Sequence, residues 1–330
     1  MFLNFLTFIT PLIFFPILIY HKKIGNTIGL LDYPDQRKRH LKPIPKLGGI
    51  YILATSIFAI LYFSNFYNER FIFSFLILIG GLFLIGFVDD KIEINAVSRL
   101  ILQFAIIALA ISVDFNLNVD KLNIGIISKN ILIYNGSNIF TIFCVISLVN
   151  ATNLVDGKDG LTGMIFLVFL FYFLFFLPSN FNNLLIVLII STILFLFYNI
   201  RGKVYLGNSG SYLIGGLMSF ITIQNYNHKS FEIEMIFLIF YIYGLDMLRV
   251  YLERLIRGIH PFTPENNHLH HYLFKNFANK YLALFVYIIL AYIPLSIHLV
   301  YKNYLILMIL SIVFYLSVFF YFRKDNNLSV

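Results

Sequence analysis

Eleven apolar stretches punctuate the chain, at about 2–20, 48–66, 71–88, 98–113, 138–152, 160–177, 184–200, 210–225, 233–250, 281–300 and 303–322. A bilayer-crossing helix needs about 20 such residues, within a range of about 17–25. The fifth and eighth are short and broken by polar positions. Between the fourth and fifth, residues 114–138 alternate polar and apolar residues on either side of Ser128-Lys129-Asn130. That alternation predicts a small β-hairpin near 120–135 on the outer, periplasmic side. The expected fold is an all-α integral membrane protein of about 11 transmembrane helices.

Charge assigns the sides. Of 24 Lys and Arg, five (Arg70, Lys121, Lys129, Lys229 and Lys302) fall in loops on one side and the other 19 on the opposite side. Cytoplasmic loops carry the excess of basic residues, so the N-terminus is expected outside and Arg323-Lys324 inside. Residues 1–20 lack a basic leader and are followed by Lys22-Lys23, which predicts a retained anchor. Composition agrees with a membrane protein: 59% hydrophobic and 12% charged, against roughly 25% charged in soluble domains. The net charge of +8 belongs to loops and does not suggest nucleic-acid binding. One cysteine, Cys144, excludes disulfides and Cys-based metal sites. The chain is expected to form a single domain, 1–330, whose inner loops 21–47, 89–97, 151–160, 201–209 and 251–280 build the active site.

The chemistry-bearing residues lie in those loops. The first loop carries Arg37, Lys38, His40 and Lys46 among prolines and Gly48-Gly49, either a topology anchor at anionic headgroups or a shaped substrate loop. Asp89-Asp90 closes the third span at a helix C-terminus, where carboxylates oppose the helix dipole and repel each other. A solvated helix end is one reading; a divalent metal or proton transfer is the favoured one. Asn150, Asn153 and Asp156 recur every three residues, followed by Asp159, which either N-caps the next helix or joins the site. Gly207-Asn208-Ser209-Gly210 precedes a helix whose free N–H groups could cradle an anion. No P-loop pattern is present. The last loop holds Arg254 and then His268, His270 and His271. Zinc is one reading of the histidines; phosphate contacts from His and Arg are favoured.

Together, D-x-P-x-x-R-K-x-H at 32–40, D-D at 89–90, N-x-x-N-x-x-D-G-x-D-G at 150–160, G-N-S-G-S at 207–211 and H-L-H-H at 268–271 resemble the polyprenyl-phosphate N-acetylhexosamine-1-phosphate transferases of glycosyltransferase family 4. The His-Leu-His-His tail is more like the undecaprenyl-phosphate N-acetylglucosamine-1-phosphate branch. The resemblance implies transfer of a sugar 1-phosphate from a UDP-sugar to undecaprenyl phosphate, releasing UMP, to start O-antigen, common-antigen or teichoic-acid synthesis at the bacterial inner membrane. It implies Mg²⁺, or Mn²⁺ in its place, held by Asp89, Asp90, Asn153 and Asn208. It implies catalytic Asp89, Asp90, Asp156 and Asp159. Substrate contacts would come from Arg37, Lys38, His40, Lys46, Asn150, Arg254, His268, His270 and His271. Asn208 departs from the family, which places an Asp metal ligand there; weaker metal binding is expected.

Two rival readings remain. A transporter should carry ionisable residues mid-span, and Asp246 is the one candidate near such a place. A scaffold without catalysis is suggested by Asn208. The sequence leaves a homodimer open.

Overall fold

The structure is a computed structural model and describes residues 5–34, 41–157, 159–176, 182–229, 231–260 and 267–327, with side chains omitted at 229 and 324–327. Arg37, Lys38 and His40, three of the expected substrate contacts, lie outside the described residues. The chain divides into two compact units, residues 1–118 with 138–225, and residues 119–137 with 226–330.

In the first unit the N-terminal segment is three short helices, α1 (Phe5–Ile13), α2 (Pro16–Ile19) and α3 (His21–Ile28). Phe5–Ile19 and His21–Ile28 meet at a 70° bend. Pro16, at the first position of α2, lacks an N–H and so interrupts the helical ladder. Gly29 ends α3 in the left-handed region. The two-residue strands β1 (Leu31–Asp32) and β2 (Ile44–Pro45) then pair antiparallel, closing the first loop at its base.

The remaining helices of this unit are α4 (Gly48–Tyr62), α5 (Glu69–Phe75), α6 (Gly81–Ile92), α7 (Ala96–Val113), α8 (Ser137–Val155), α9 (Leu161–Phe176), α10 (Asn182–Asn199) and α11 (Gly207–Lys229). A π-helical stretch, Leu76–Gly80, joins α5 to α6, so Glu69–Ile92 is one long span. α4 packs on α10, and α10 on α1 and α9. An open apolar groove lies between α1, α4 and α6, lined by Phe14, Ile50, Phe58, Phe83 and Phe87.

In the second unit β3 (Lys121–Ile124) pairs antiparallel with β4 (Lys129–Leu132). The turn between them is held by Glu234, whose carboxylate accepts from Gly125 N and Ile126 N, each at 3.0 Å. Glu234 belongs to α12 (Ile233–Ile256), which packs against α14 (Lys280–His298) and α15 (Tyr304–Asn327), with the short α13 (Leu269–Asn276) beneath them.

Each of the eleven expected spans contains helix, but they are not alike. Among the described residues seven helices are long and apolar enough to cross a membrane, or eight counting the bent N-terminal pair. α4 and α9 are apolar but short. α11 is long but polar at both ends, with Asn208 and Ser209 at one and Gln224, Asn225 and Asn227 at the other. Apolar residues also cover much of the outer surface: Ile101, Leu102, Phe104 and Leu109 on α7, and Leu305, Ile309, Val313 and Phe320 on α15, are exposed. Exposed apolar surface on this scale is the mark of a lipid-facing wall. The protein is a multi-pass, all-α membrane protein.

Candidate functional site

Within the first unit, the C-terminal ends of α6 and α8 meet the N-terminal ends of α4 and α11. Glycines allow the approach. A Cβ on Gly86 of α6 would lie 2.4 Å from the Asn208 carbonyl oxygen, and one on Gly49 of α4 would lie 2.6 Å from Gly210 N. Backbone bonds hold the register: Gly48 N donates to Tyr205 O at 3.0 Å, and Tyr205 N donates to Pro45 O at 2.8 Å.

That packing turns Asp90 into a cap for α11. Its Oδ1 accepts from Asn208 N at 3.0 Å, and its Oδ2 from Ser209 N at 2.9 Å. Lys46 Nζ sits 3.2 Å from the same Oδ1 and 3.5 Å from Asp32. Asp90 therefore lies at the C-terminal end of its own helix, where its charge is unfavourable, and at the N-terminal end of another, where it is favourable.

Asp89 faces the next helix. Glu93 turns left-handed after α6, Asn95 caps α7 by accepting from Ser98 N, and this tight reversal returns Arg99 to Asp89. Asp89 Oδ2 accepts from Arg99 Nη1 at 3.1 Å and from Asn208 Nδ2 at 2.9 Å; its Oδ1 accepts from Ile94 N at 2.8 Å. Arg99 also donates to Tyr212 Oη at 3.3 Å. The mutual repulsion expected of the aspartate pair is thus offset by two protein cations and a helix N-terminus.

Asp156, just beyond α8, is placed differently. Its charged neighbours include the carboxylates Asp90 and Asp159. Burial pushes its carboxyl up to about 7; the nearby Thr162 hydroxyl opposes the rise, and the two carboxylates add to it. The residue nonetheless keeps some accessible surface. The Asp156–Gly160 turn is tied down by Asn199, whose Oδ1 accepts from Gly160 N at 2.7 Å while its Nδ2 donates to Val204 O at 2.8 Å. Asn153 Oδ1 accepts from Ser211 Oγ at 2.7 Å, bringing α8 to the same end of α11.

Asn150 is spent elsewhere. Its amide donates to Gln103 Oε1 and to Ile146 O, both at 2.8 Å, linking α8 to α7. A part-buried amide pair of this kind holds two spans together, so Asn150 is engaged at the α7–α8 contact, whereas Asn153 meets α11.

In the second unit His268, His270 and His271 gather, with ring centroids of His270 and His271 4.1 Å apart and those of His268 and His270 5.7 Å apart. His268 Nδ1 is 2.9 Å from Asp246 Oδ2. Arg254, on α12, is only 2% exposed. Among the described residues no group of three His, Cys, Asp or Glu is arranged to hold a metal ion, which leaves the zinc reading of the histidines without support. For the Mg²⁺ reading, carboxylate and amide oxygens are of the right kind, but those of Asp89 and Asp90 already accept from N–H donors. Arg99, Ser209 and Tyr315, which the sequence does not single out as site residues, contact Asp89, Asp90 and Asp246 respectively. Arg99 follows the aspartate pair by a single tight turn, and that spacing was the available signal.

Comparison with known proteins identifies the family. The family model of glycosyl transferase family 4 matches residues 72–225, which hold the aspartate pair, Asp156 and Asn208. The undecaprenyl-phosphate alpha-N-acetylglucosaminyl 1-phosphate transferase of Haemophilus influenzae is 30% identical over 81% of this chain and 78% of its own length. The chain belongs to glycosyl transferase family 4. Family members of the same description from Yersinia pestis (29% identical; 83% of this chain, 78% of the relative) and Salmonella typhi (27%; 77% and 71%) are also similar. The matched segment includes Asn208, whose amide is directed at Asp89.

Proposed function

We propose that the protein transfers N-acetylglucosamine 1-phosphate from its UDP-sugar to undecaprenyl phosphate, releasing UMP, and so initiates a cell-envelope glycan. The observation that carries this reading is the meeting of Asp89, Asp90, Asp156 and the α11 N-terminus at one end of a lipid-facing helical unit. A lipid phosphate can reach such a place without leaving the bilayer. The apolar groove that ends near Phe87, two residues before Asp89, offers surface for its prenyl chain.

An oxygen of the lipid phosphate attacks the sugar-bearing phosphorus of the donor. A new phosphoanhydride forms, the old one breaks, and UMP leaves with the bonding electrons. No ATP is consumed. Asp156 is suited to take the proton of a monoprotonated lipid phosphate, whose second ionisation lies near pH ~6. Lys46 and Arg99 hold Asp90 and Asp89 in place and limit the negative charge that an incoming phosphate meets. Mg²⁺ or Mn²⁺, when bound, would further offset phosphate–phosphate repulsion. Asp89, Asp90, Asn153 and Asn208 would hold it, Asp89 by exchanging its Arg99 and Asn208 donors. On this reading the end of the first unit that carries Asp89 and Asp90 faces the cytoplasm, and the excess of basic residues in the neighbouring loops supports that orientation.

The test is UMP release by the purified protein from a panel of UDP-sugars, with undecaprenyl phosphate and Mg²⁺. Release with UDP-N-acetylglucosamine is expected, and its dependence on the lipid phosphate is part of the result. Silence with every sugar would sink the reading and favour a scaffold.

A further inference from the structure

Asp246 lies in the membrane-spanning α12 and is 1% exposed. A buried carboxylate in a span needs an account, and its contacts supply one. Its Oδ1 accepts from three donors: Arg249 Nη2 at 2.9 Å, Tyr315 Oη at 2.8 Å and Leu269 N at 3.1 Å. Its Oδ2 is 2.9 Å from His268 Nδ1. Arg249 is itself braced, donating to Tyr315 Oη at 2.9 Å and to Asn267 O at 2.6 Å. The carboxylate cannot rotate without breaking several of these bonds. His268, 3% exposed, occupies the N-cap position of α13, and its Nε2 has no hydrogen-bond partner among the described residues. Buried polar atoms are nearly always satisfied, so a ring nitrogen without a described partner, held at its other edge by a carboxylate, is a candidate to meet a ligand.

We infer that Asp246 is a positioning residue for the nucleotide-sugar donor: it fixes His268 through Nδ1–H and leaves Nε2 to an oxygen of the donor's diphosphate. The inference rests on the transferase reading above. A diphosphate oxygen only accepts, so Nε2 must carry a proton when the donor binds. With Nδ1–H given to Asp246, that state is the imidazolium. Among the described residues, the titratable groups around the Asp246–His268 pair include Arg249 on α12, Tyr287 on α14, Tyr315 on α15 and His270 and His271 on α13. Arg249 engages Oδ1, leaving Oδ2 and its negative charge to the ring.

Asp246→Asn tests this through a forced change of tautomer. Three donors surround the Oδ1 position, so the amide oxygen must stay there and the NH₂ must face His268. Nδ1 then becomes an acceptor, and Nε2–H belongs to a neutral ring. A neutral hydrogen bond replaces a charge-assisted one, and the donor KM should rise about tenfold with a smaller change in kcat. In a His268→Gln background, Asp246→Asn should add no more than about twofold. ¹⁵N-histidine spectra of the full chain in detergent should show His268 protonated at Nδ1 in the wild type, and at Nε2 alone in Asp246→Asn at high pH. Full additivity of the two substitutions would overturn the inference while leaving the transferase reading standing, as would a wild-type His268 protonated only at Nε2. The wild-type spectrum decides the tautomer even if Asp246→Asn fails to fold. Absence of UMP release by the wild type would overturn both readings.

Discussion

Asn208 donates its side-chain amide to Asp89 across 2.9 Å, joining the first turn of α11 to the last turns of α6, 119 residues earlier. An asparagine there supplies a donor that an aspartate could not. In this chain the bond does part of the work of a cation, holding two helix ends together beside a negatively charged pair.

Asn208→Asp should therefore destabilise the protein in the absence of divalent ions. The lost bond to a charged acceptor is worth about 1.5–3 kcal/mol, and a third carboxylate adds repulsion. Mg²⁺ should restore much of the loss and bind more tightly than to the wild type. Thermal unfolding with and without Mg²⁺ measures both effects. Equal stability in EDTA would show that the Asn208–Asp89 bond is not structural.

Asp90→Ala removes the α11 cap and Lys46's nearer partner. A lost cap costs about 0.5–2 kcal/mol, a modest drop in Tm. UMP release should fall much further, because α11 would no longer hold Asn208 and Ser209 in register. Losses in stability and rate that match would point to a purely structural carboxylate.

Gly86→Ala should act at a distance from any substrate. Its methyl would stand 2.4 Å from the Asn208 carbonyl, and that backbone atom must move. Overpacking of this kind costs about 1–3 kcal/mol. Turnover should fall although no ionisable group has changed. Gly80→Ala in the same span meets nothing within 4 Å and serves as the control.

The pH dependence should report Asp156. Its carboxyl is raised to about 7, so the rate should climb as pH rises through that value, if Asp156 accepts the proton. For stability the sign is opposite. The unfolded carboxyl ionises near ~3.9, so between there and about 7 the unfolded chain gains an ionisation that the folded one resists. Wild-type stability should decline across that window, and Asp156→Asn should flatten the decline. Urea unfolding between pH 4 and 8 compares the two; an unchanged slope would remove Asp156 as the source.

Much of this protein was legible in the order of its residues. A bilayer admits backbone only as helices or closed barrels, so eleven apolar runs predict eleven helical segments wherever they pack. The aspartate pair, Asp156 and the three histidines announced themselves because charged and polar groups at span ends are costly without a use. Tertiary structure decided what each of them does. Asp89 faces Arg99 while its neighbour Asp90 caps α11, because adjacent residues on a helix point about 100° apart and meet different helices. Asn150, one turn before Asn153 in the same motif, turns into the α7–α8 contact instead. Asp246, which stood out only as a charge inside a span, became the anchor of His268. Composition and periodicity act through the solvent each residue prefers, so they can be read along the chain; hydrogen-bond partners more than a hundred residues apart depend on how whole helices pack and rotate, and only the folded molecule sets that.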